Sequence, residues 1–416
     1  VADHDKAIGA APFGGTGRQN SGVRDKMGNH QAPQDLGPAL RRVDRPIQEA
    51  SGLPNQAYTS EDFARYERDQ LLANTWMCVG VGHHVPNPGD LRPVKILGLP
   101  LLLLRDRAGE IQVFHNVCSH RGVELIAGPC SVKRRICCPY HSWTYDLDGS
   151  LAATPSIGGP GKNDCPGFNR AQHGLKPVRT AVWADVVFVN LSGDAPPFGD
   201  YIAPVAERWG DFDLSLLRHG GPDSSLSFDI ACNWKLAVEN YCEAYHLPWV
   251  HPGLNSYSRL EDHYDIAEDK LYAGQGSLVY QPRLSEDGEE FPKFPNLPDK
   301  WLKGAEYIAL FPNVLLGIHA DHFYVGYLEP VSTDRTREYF EIYYVGDEPL
   351  GDDYAALRAA NSRGWRSIFN EDQDIVERLQ RGRASPAFQG GVFSPVMDGP
   401  THCFHKWAAR GLTNGA

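Results

Sequence analysis

The chain lacks a long uninterrupted apolar run. Its longest, Ile96 to Leu104, is broken by Gly98 and Pro100 and is too short to span a bilayer. It lacks an excess of positive charge: 40 Lys and Arg stand against 52 Asp and Glu, a formal net charge of −12. That balance argues against nucleic acid as the main partner. The start is polar and charged and does not read as a secretory signal. The nine cysteines are odd in number and unevenly placed, so they do not read as a disulfide framework. A cytoplasmic protein with metal-binding thiolates fits these absences, with neither a membrane nor a nucleic acid as partner. No internal repeat and no H-E-x-x-H zinc motif is present. Gly15-Thr-Gly17 approaches a dinucleotide loop, but Asn20 stands where a third glycine belongs and no strand precedes it. With no flavin or nicotinamide fingerprint and no four-cysteine ferredoxin motif, the chain carries no electron source of its own beyond a metal centre.

What is present is enough for two cores. At 416 residues, 42% hydrophobic and 22% charged, the composition is that of an ordinary two-domain chain. Residues 1–45 are rich in Gly, Asn, Gln and Asp and predict an extended or partly disordered arm. "TSEDFARYERDQLLANTW" predicts a capped helix: Thr59 or Ser60 can cap, acids fill the first turn, and Phe63, Tyr66 and Leu71 share a face. From Trp76 to about Ser192, short β-rich runs such as "IQVFHNV" and "VVFVNL" alternate with Gly and Pro turns, the pattern of a compact all-β domain. From about residue 196 helical and strand-like segments mix, which predicts an α+β domain. "NWKLAVENYCEAYH" is helical in composition, "REYFEIYYVG" is strand-like, and Asp353 to Gln380 reads as a long helix stopped by Gly382.

The stretch "CSHRGVELIAGPCSVKRRICCPYH" holds two ligand pairs. Cys118-x-His120 is followed, after seventeen residues, by Cys138-Pro-Tyr-His141. Each pair can reach one metal environment from a tight loop. Four ligands on one ion would make a structural zinc site. Two cysteines on one iron and two histidines on another would make a two-iron two-sulfur centre of Rieske type. C-x-H followed by C-x2-H is unusual for zinc, and the iron–sulfur reading leads.

A second constellation lies in "NWKLAVENYCEAYHLPWVHPGL". Glu243 and His246 are three apart and would share a helix face. On a continuous helix His251 would lie about 12 Å beyond Glu243. Pro248 is expected to end or kink that helix and bring His251 back beside His246. Two histidines with a distant carboxylate make the facial triad of non-haem Fe(II), which leaves positions open for O2. Downstream, "NEDQDIVERLQRG" offers that carboxylate. On composition, Glu371, Asp372 and Asp374 are equal candidates.

"CSHRG" and "CPYHSWTYDLDGSL" resemble the ligand loops of the Rieske domain in ring-hydroxylating oxygenase α subunits, with Ser142 where that family usually has glycine. "LFPNVLLGIHADHF" and "SPVMDGPTHCFHKW" are also similar to the family, and the resemblance runs from about residue 59 to 410. It implies an α+β architecture: an all-β Rieske domain at 76–195, preceded by a helical segment at 46–75 that packs on a larger catalytic domain at 196–416 with a central antiparallel sheet flanked by helices. It implies two cofactors, a [2Fe–2S] cluster and a mononuclear Fe(II). Cys118 and Cys138 would hold one cluster iron and His120 and His141 the other, leaving Cys137 and Cys130 out. His246, His251 and Asp372 would hold the catalytic iron. Glu243 falls on the family's bridging carboxylate, linking His246 to His141 of a neighbouring subunit, and Asn240 matches a position near the iron.

Most members carry Asp at the bridge. Glu243 resembles the subgroup that oxidises quaternary ammonium compounds such as carnitine and glycine betaine. The expected activity is O2-dependent hydroxylation of a small organic substrate, with N-demethylation or C–N cleavage of a betaine-like compound. Electrons would come from a separate reductase or ferredoxin, met by Arg121, Lys133, Arg134 and Arg135 around the cluster loops. A homotrimer is the expected assembly. The competing readings are an oxygenase acting on an aromatic compound, an electron-transfer protein without catalysis, and a zinc-stabilised binding module.

Overall fold

A computed structural model describes residues 36–267 and 271–413. The arm expected at 1–45 therefore lies largely outside the described residues. Its last part departs from the expectation: Leu36–Val43 is a helix that buries Leu36, Leu40 and Val43. The spacing of those three residues gives one apolar face, which packs on the C-terminal helix Gly399–Thr413.

The helix Glu61–Gln70 forms as its sequence dictates. Ser60 is the cap, accepting from the Phe63 N–H, and Glu61 and Asp62 fill the first turn. It too lies against the C-terminal helix, where Tyr66 donates to the Leu412 carbonyl at 2.9 Å.

Between residues 77 and 190 the structure is built from short antiparallel strands. Ile111–His115, Leu99–Arg105, Asp90–Ile96 and Cys130–Ser131 form a four-stranded sheet. Arg135–Cys137, Thr144–Asp146 and Leu151–Ala153 form a three-stranded one. Leu102, Leu104, Phe114, Ile136, Trp143 and Tyr145 make a core between them that also takes in Cys118 and Cys138. The sequence folds here because strand alternation places its leucines and aromatics inward, and both candidate cysteines are anchored in that core.

An eight-stranded antiparallel sheet dominates the rest of the chain, its middle formed by Arg335–Val345, His322–Ser332, Val314–Ile318, Ala305–Leu310 and Tyr272–Ser277. The strand Ser225–Ile230 alternates exposed and buried residues, pairs with Arg335–Val345, and sets Phe228 opposite Glu338. The long helix Ala355–Arg383 lies on this face, with Phe369 stacked on Phe340 at 3.7 Å between ring centroids. Sheet and helices together are of the α+β class. No described helix is long and apolar enough to cross a membrane.

Two local expectations are corrected. The long helix does not stop at Gly382, which lies inside its last turn. Arg383, buried, holds that turn by pairing with Glu239 at 3.1 Å. The helix Trp234–Cys242 ends before Glu243, whose backbone is extended (φ −123°, ψ 157°). Glu243 and His246 therefore do not share a helix face. Nor does Pro248 end a helix: it opens the short helix Leu247–Val250, where a missing N–H costs nothing.

Candidate functional site: a cluster loop pair and a two-histidine, one-carboxylate centre

The two cysteine loops share one backbone device. The Cys118 carbonyl accepts from the Gly122 N–H, and the Cys138 carbonyl from the Ser142 N–H, both at 3.0 Å. Each loop turns back at a left-handed residue four positions on: Gly122 at φ +76° and Ser142 at φ +55°. Only glycine adopts that conformation without penalty, which explains why Ser142 is an unusual occupant.

The loops bring His120 and His141 together at 4.7 Å between ring centroids. Each ring is held by an aromatic: His120 stacks on Trp143 at 4.5 Å and His141 lies on Tyr140 at 3.7 Å. Burial, followed by His141, pushes His120 below its ordinary pKa, which favours the neutral imidazole a metal needs. The Nδ1 of His141 is buried with no hydrogen-bond partner, as a ligand atom would be. Cys118 Sγ has one neighbour the sequence did not signal, Tyr145, whose hydroxyl lies at 3.1 Å and also meets Ser119. The residues present thus fit a two-cysteine, two-histidine cluster. Cys130 and Cys137 are exposed and lie apart from the core that holds Cys118 and Cys138.

The second site is assembled at the end of the helix Trp234–Cys242. Lys235, fully buried, pairs with Glu67 at 2.9 Å. Glu239 meets Tyr58, Arg383 and His405. Burial opposes the charge on Glu239, but His405 and Arg383 outweigh it and hold the carboxyl at about 2. The next residue, Asn240, donates to Asp372 Oδ1 at 3.1 Å. Asp372 follows Phe369 by three positions on the long helix, so the sheet contact that seats Phe369 also aims Asp372.

His246, His251 and Asp372 each offer one ligand atom, and these atoms lie within 4.8 Å of one another, the one such group of His, Cys, Asp and Glu among the described residues. Asp372 Oδ1 is 3.0 Å from His251 Nε2 and 3.6 Å from His246 Nε2. The opposite ring nitrogens are taken by acids. His246 Nδ1 lies 2.7 Å from Glu243, and His251 Nδ1 lies 2.8 Å from Glu371. A carboxylate at Nδ1 fixes the tautomer and leaves the Nε2 lone pair free for a metal held between the rings and Asp372. Burial lowers the pKa of His251, but Asp372 and then Glu371 outweigh it and raise it, so the site attracts positive charge. This donor set of two imidazoles and a carboxylate suits a mononuclear Fe(II). Of the three acids left open by composition, the geometry brings Asp372 to the histidines' Nε2 side and Glu371 to the Nδ1 side of His251. The charge on Asp374 goes to Arg378 at 2.7 Å.

A cavity opens onto this triad. Its wall is aromatic: Tyr241, Tyr307, Tyr324, Trp365 and Phe369. Gly317 makes that wall possible. It pairs with Tyr324 across the sheet, and a Cβ there would come within 2.3 Å of the Tyr324 ring. Tyr324 shares a hydrogen bond with Tyr241 at 2.9 Å, and Tyr241 also meets the Leu316 carbonyl. The polar lining outside the triad is Asn240, Ser258, His263 and Gln275. Behind Asp372 on the sheet, Glu338 is buried, and burial, then Asp372, pushes its carboxyl up to about 8.

The sequence did not point to Tyr145, Glu338, His263 or the aromatic wall. Tyr145 lies seven residues after Cys138 in the quoted loop, where a hydroxyl near a thiolate is a usable signal. Glu338, His263, Tyr307 and Tyr324 come from strands that carry no ligand motif, whereas Tyr241, Trp365 and Phe369 lie on the two helices that lead to the ligands. Among the described residues, no hydrogen bond or ring contact links residues 118–143 to the triad or to Glu243.

Two families match the chain. That described as the Rieske [2Fe-2S] domain covers residues 75–165, and that described as the ring hydroxylating alpha subunit (catalytic domain) covers 217–414. The first excludes the zinc reading of the cysteine loops. Choline monooxygenase, chloroplastic, of Arabidopsis thaliana is 30% identical over 374 residues, spanning 86% of this chain and 82% of that one. The carnitine monooxygenase oxygenase subunit of Acinetobacter pittii is 27% identical over 341 residues, spanning 81% and 86%. Among solved structures, the quaternary ammonium Rieske monooxygenase CntA in complex with L-carnitine shares the fold, with a TM-score of 0.73 at 24% identity over 89% of this chain and 98% of that one.

Proposed function

The chain belongs to the Rieske non-haem iron oxygenases, the ring-hydroxylating α-subunit family, and on that premise we propose that it is a monooxygenase of a small quaternary ammonium compound. It is an oxygen-incorporating oxidoreductase with a Rieske [2Fe–2S] cluster and a mononuclear iron. Cys118, Cys138, His120 and His141 would hold the first, and His246, His251 and Asp372 the second. When bound, these groups supply single electrons and O2 chemistry respectively. One O2, two electrons and two protons give one hydroxyl on the substrate and one water.

The chain's own residues do the positioning. Glu243 and Glu371 keep the Nδ1 protons of His246 and His251, so both rings present Nε2 to one point. Asn240 steadies the Asp372 carboxylate. The aromatic wall gives the cavity a mostly apolar lining.

The observation that carries the substrate class is the lining of this cavity. Five aromatic side chains face it, and among the described residues Asp372 is its one carboxylate and no lysine or arginine lines it. A quaternary ammonium ion gains about 0.5–2 kcal/mol from each well-placed aromatic face and cannot be held by ordinary hydrogen bonds.

The chain is read as a Rieske domain at 76–195 and a catalytic domain at 196–416, with 46–75 packed on the latter. Electrons enter from a separate reductase or ferredoxin and pass from His141 of one subunit to Glu243 of the next in a homotrimer. The lack of any contact between the two sites within the described chain supports this. So does the exposure of Tyr140 (53%) beside His141 and of Trp249 (71%) beside His246. Nine free cysteines, three of them exposed, support a reducing compartment such as the cytoplasm.

A single-turnover assay tests the reading. Chemically reduced protein is mixed with O2 and given either small quaternary ammonium compounds or aromatic acids and hydrocarbons. Hydroxylated product, aldehyde or formaldehyde from the cations alone supports it. Product from the aromatic panel alone overturns it and returns the chain to an arene-acting oxygenase. No product from either panel, with both metal centres loaded, favours a pure electron carrier.

A further inference from the structure

Resting on the quaternary ammonium reading above, we propose that the indole of Trp365 is the face that takes the substrate's cationic head. Asp321 and His322, behind the cavity wall, are its positioning residues: they hold the indole in place and enrich its ring in electrons.

The stretch "GIHADHF" supplies the device. Ile318 ends one strand and His322 opens the next, so Ala320 and Asp321 make a tight turn, closed by the His319 N–H to the His322 carbonyl at 3.0 Å. The turn sets His319 and His322 side by side, with parallel rings 4.0 Å apart between centroids. Both are buried. Each backs a residue of the cavity wall. His319 Nε2 meets the Tyr307 hydroxyl at 3.3 Å, and His322 Nε2 lies 3.2 Å from the indole nitrogen of Trp365. His322 Nδ1 lies 2.6 Å from the Asp321 carboxylate, which is partly exposed at the outer end of the chain.

Chemistry fixes the direction of both bonds to His322. An indole N–H can only donate, so Nε2 of His322 is the bare nitrogen. The ring proton is then on Nδ1 and is donated to Asp321. A carboxylate behind an imidazole makes its free nitrogen a stronger acceptor, and each hydrogen bond in such a chain polarises the next. The pull on the indole N–H leaves more negative charge on the ring. Indole is already the best aromatic partner for an ammonium ion. Trp365 is the one tryptophan among the described residues that line the cavity.

The cavity needs such a device. An iron at the triad is positive, and Asp372 is the one carboxylate among the described lining residues. The lining does not favour a cation by charge. The His322–Trp365 chain is a route by which the charge of Asp321 is felt at the wall.

The test is calorimetric binding of choline and of its uncharged isostere, 3,3-dimethyl-1-butanol, to the anaerobic holoenzyme. Wild type, Asp321→Asn, Trp365→Phe and the double variant are compared. Wild type is expected to bind choline more tightly than the isostere. Asparagine keeps the shape of Asp321 but not its charge. Asp321→Asn should therefore weaken choline about three- to tenfold and leave the isostere within about twofold. Trp365→Phe should lose the same preference, and adding Asp321→Asn to it should change nothing further. Equal binding of the two probes by wild type, or none, overturns the quaternary ammonium reading itself. A wild-type preference that survives either single substitution leaves that reading standing and overturns the role of the Asp321–His322–Trp365 chain. So does an Asp321→Asn effect that persists beside Trp365→Phe, because the charge would then act by another route. Equal losses for both probes would leave the chain a structural prop and overturn the electron enrichment. His322→Gln is the second variant: it keeps an acceptor for the indole N–H but cuts off the carboxylate. It should repeat the selective loss of choline, and a retained preference overturns the assignment.

Discussion

Glu371 holds Nδ1 of His251 at 2.8 Å from the position directly before Asp372, so adjacent residues on one helix serve opposite sides of the same imidazole. One turn of backbone thereby fixes both the ring's tautomer and the carboxylate it faces.

Replacing Glu371 by Gln should therefore weaken iron binding by about 10–100-fold, the usual cost of losing a carboxylate behind a ligating histidine. Iron per subunit after graded chelator treatment measures it. Absorption of the [2Fe–2S] cluster should stay unchanged in the same samples. Retention of iron at the wild-type level would make the Glu371 contact a surface pair of no consequence.

Tyr145 meets Cys118 Sγ at 3.1 Å. A hydrogen bond to a cluster thiolate stabilises the more negative, reduced state. Tyr145→Phe should lower the cluster's reduction potential, by roughly 60 mV if the bond is worth about 1.4 kcal/mol. Potentiometric titration followed by EPR reads the shift. An unmoved potential would leave Tyr145 with a packing role only.

Ser142 sits at φ +55° in the second cysteine loop. A left-handed conformation costs a non-glycine residue about 1–2 kcal/mol, against roughly 0.5–1 kcal/mol of extra chain entropy for glycine. Ser142→Gly should raise stability by about 0.5–1 kcal/mol, seen as a higher denaturant midpoint with the cluster intact. A lower midpoint would mean that the serine hydroxyl contributes something the backbone geometry does not reveal.

Glu239 is held at about 2 by His405 and Arg383 against the cost of burial. A carboxyl depressed in the folded state contributes stability that is present above its ordinary value of about 4.3. That stability is lost as pH falls through the folded value. Unfolding monitored between pH 5 and 2 should show this loss in the wild type and a flatter profile in Glu239→Gln. The variant should also lose about 3–5 kcal/mol at neutral pH, because Arg383 is left buried without its partner.

The candidate ligands stood out in the sequence because metal chemistry restricts both residue type and spacing. Cys118, His120, Cys138 and His141 lie in two short loops, and His246 and His251 in one. The carboxylate was not legible from composition. Glu371, Asp372 and Asp374 sit on one helix, and what separates them is the sheet contact of Phe369, which no local pattern encodes. The extended backbone at Glu243 escaped for a similar reason. Its helical propensity is good, but tertiary packing ends the helix one residue earlier and sends Glu243 to His246. The aromatic wall was hidden because Tyr307, Tyr324 and Trp365 look like any half-buried strand or helix residue until the sheet assembles them. At the other extreme, the helix Leu36–Val43 was masked by its polar surroundings, since three apolar residues in eight are too few to stand out.

Gly317 gives the cavity a property that its lining residues do not display. The Tyr324 ring crosses over a position with no side chain, so the depth of the cavity is fixed by backbone lying beneath the wall rather than by the wall itself. In a population of related chains, one methyl group added there would displace the ring and shrink the cavity while every lining residue stayed the same. Divergence in substrate size can therefore proceed silently beneath an unchanged pocket sequence, and two relatives with identical lining need not accept the same molecule.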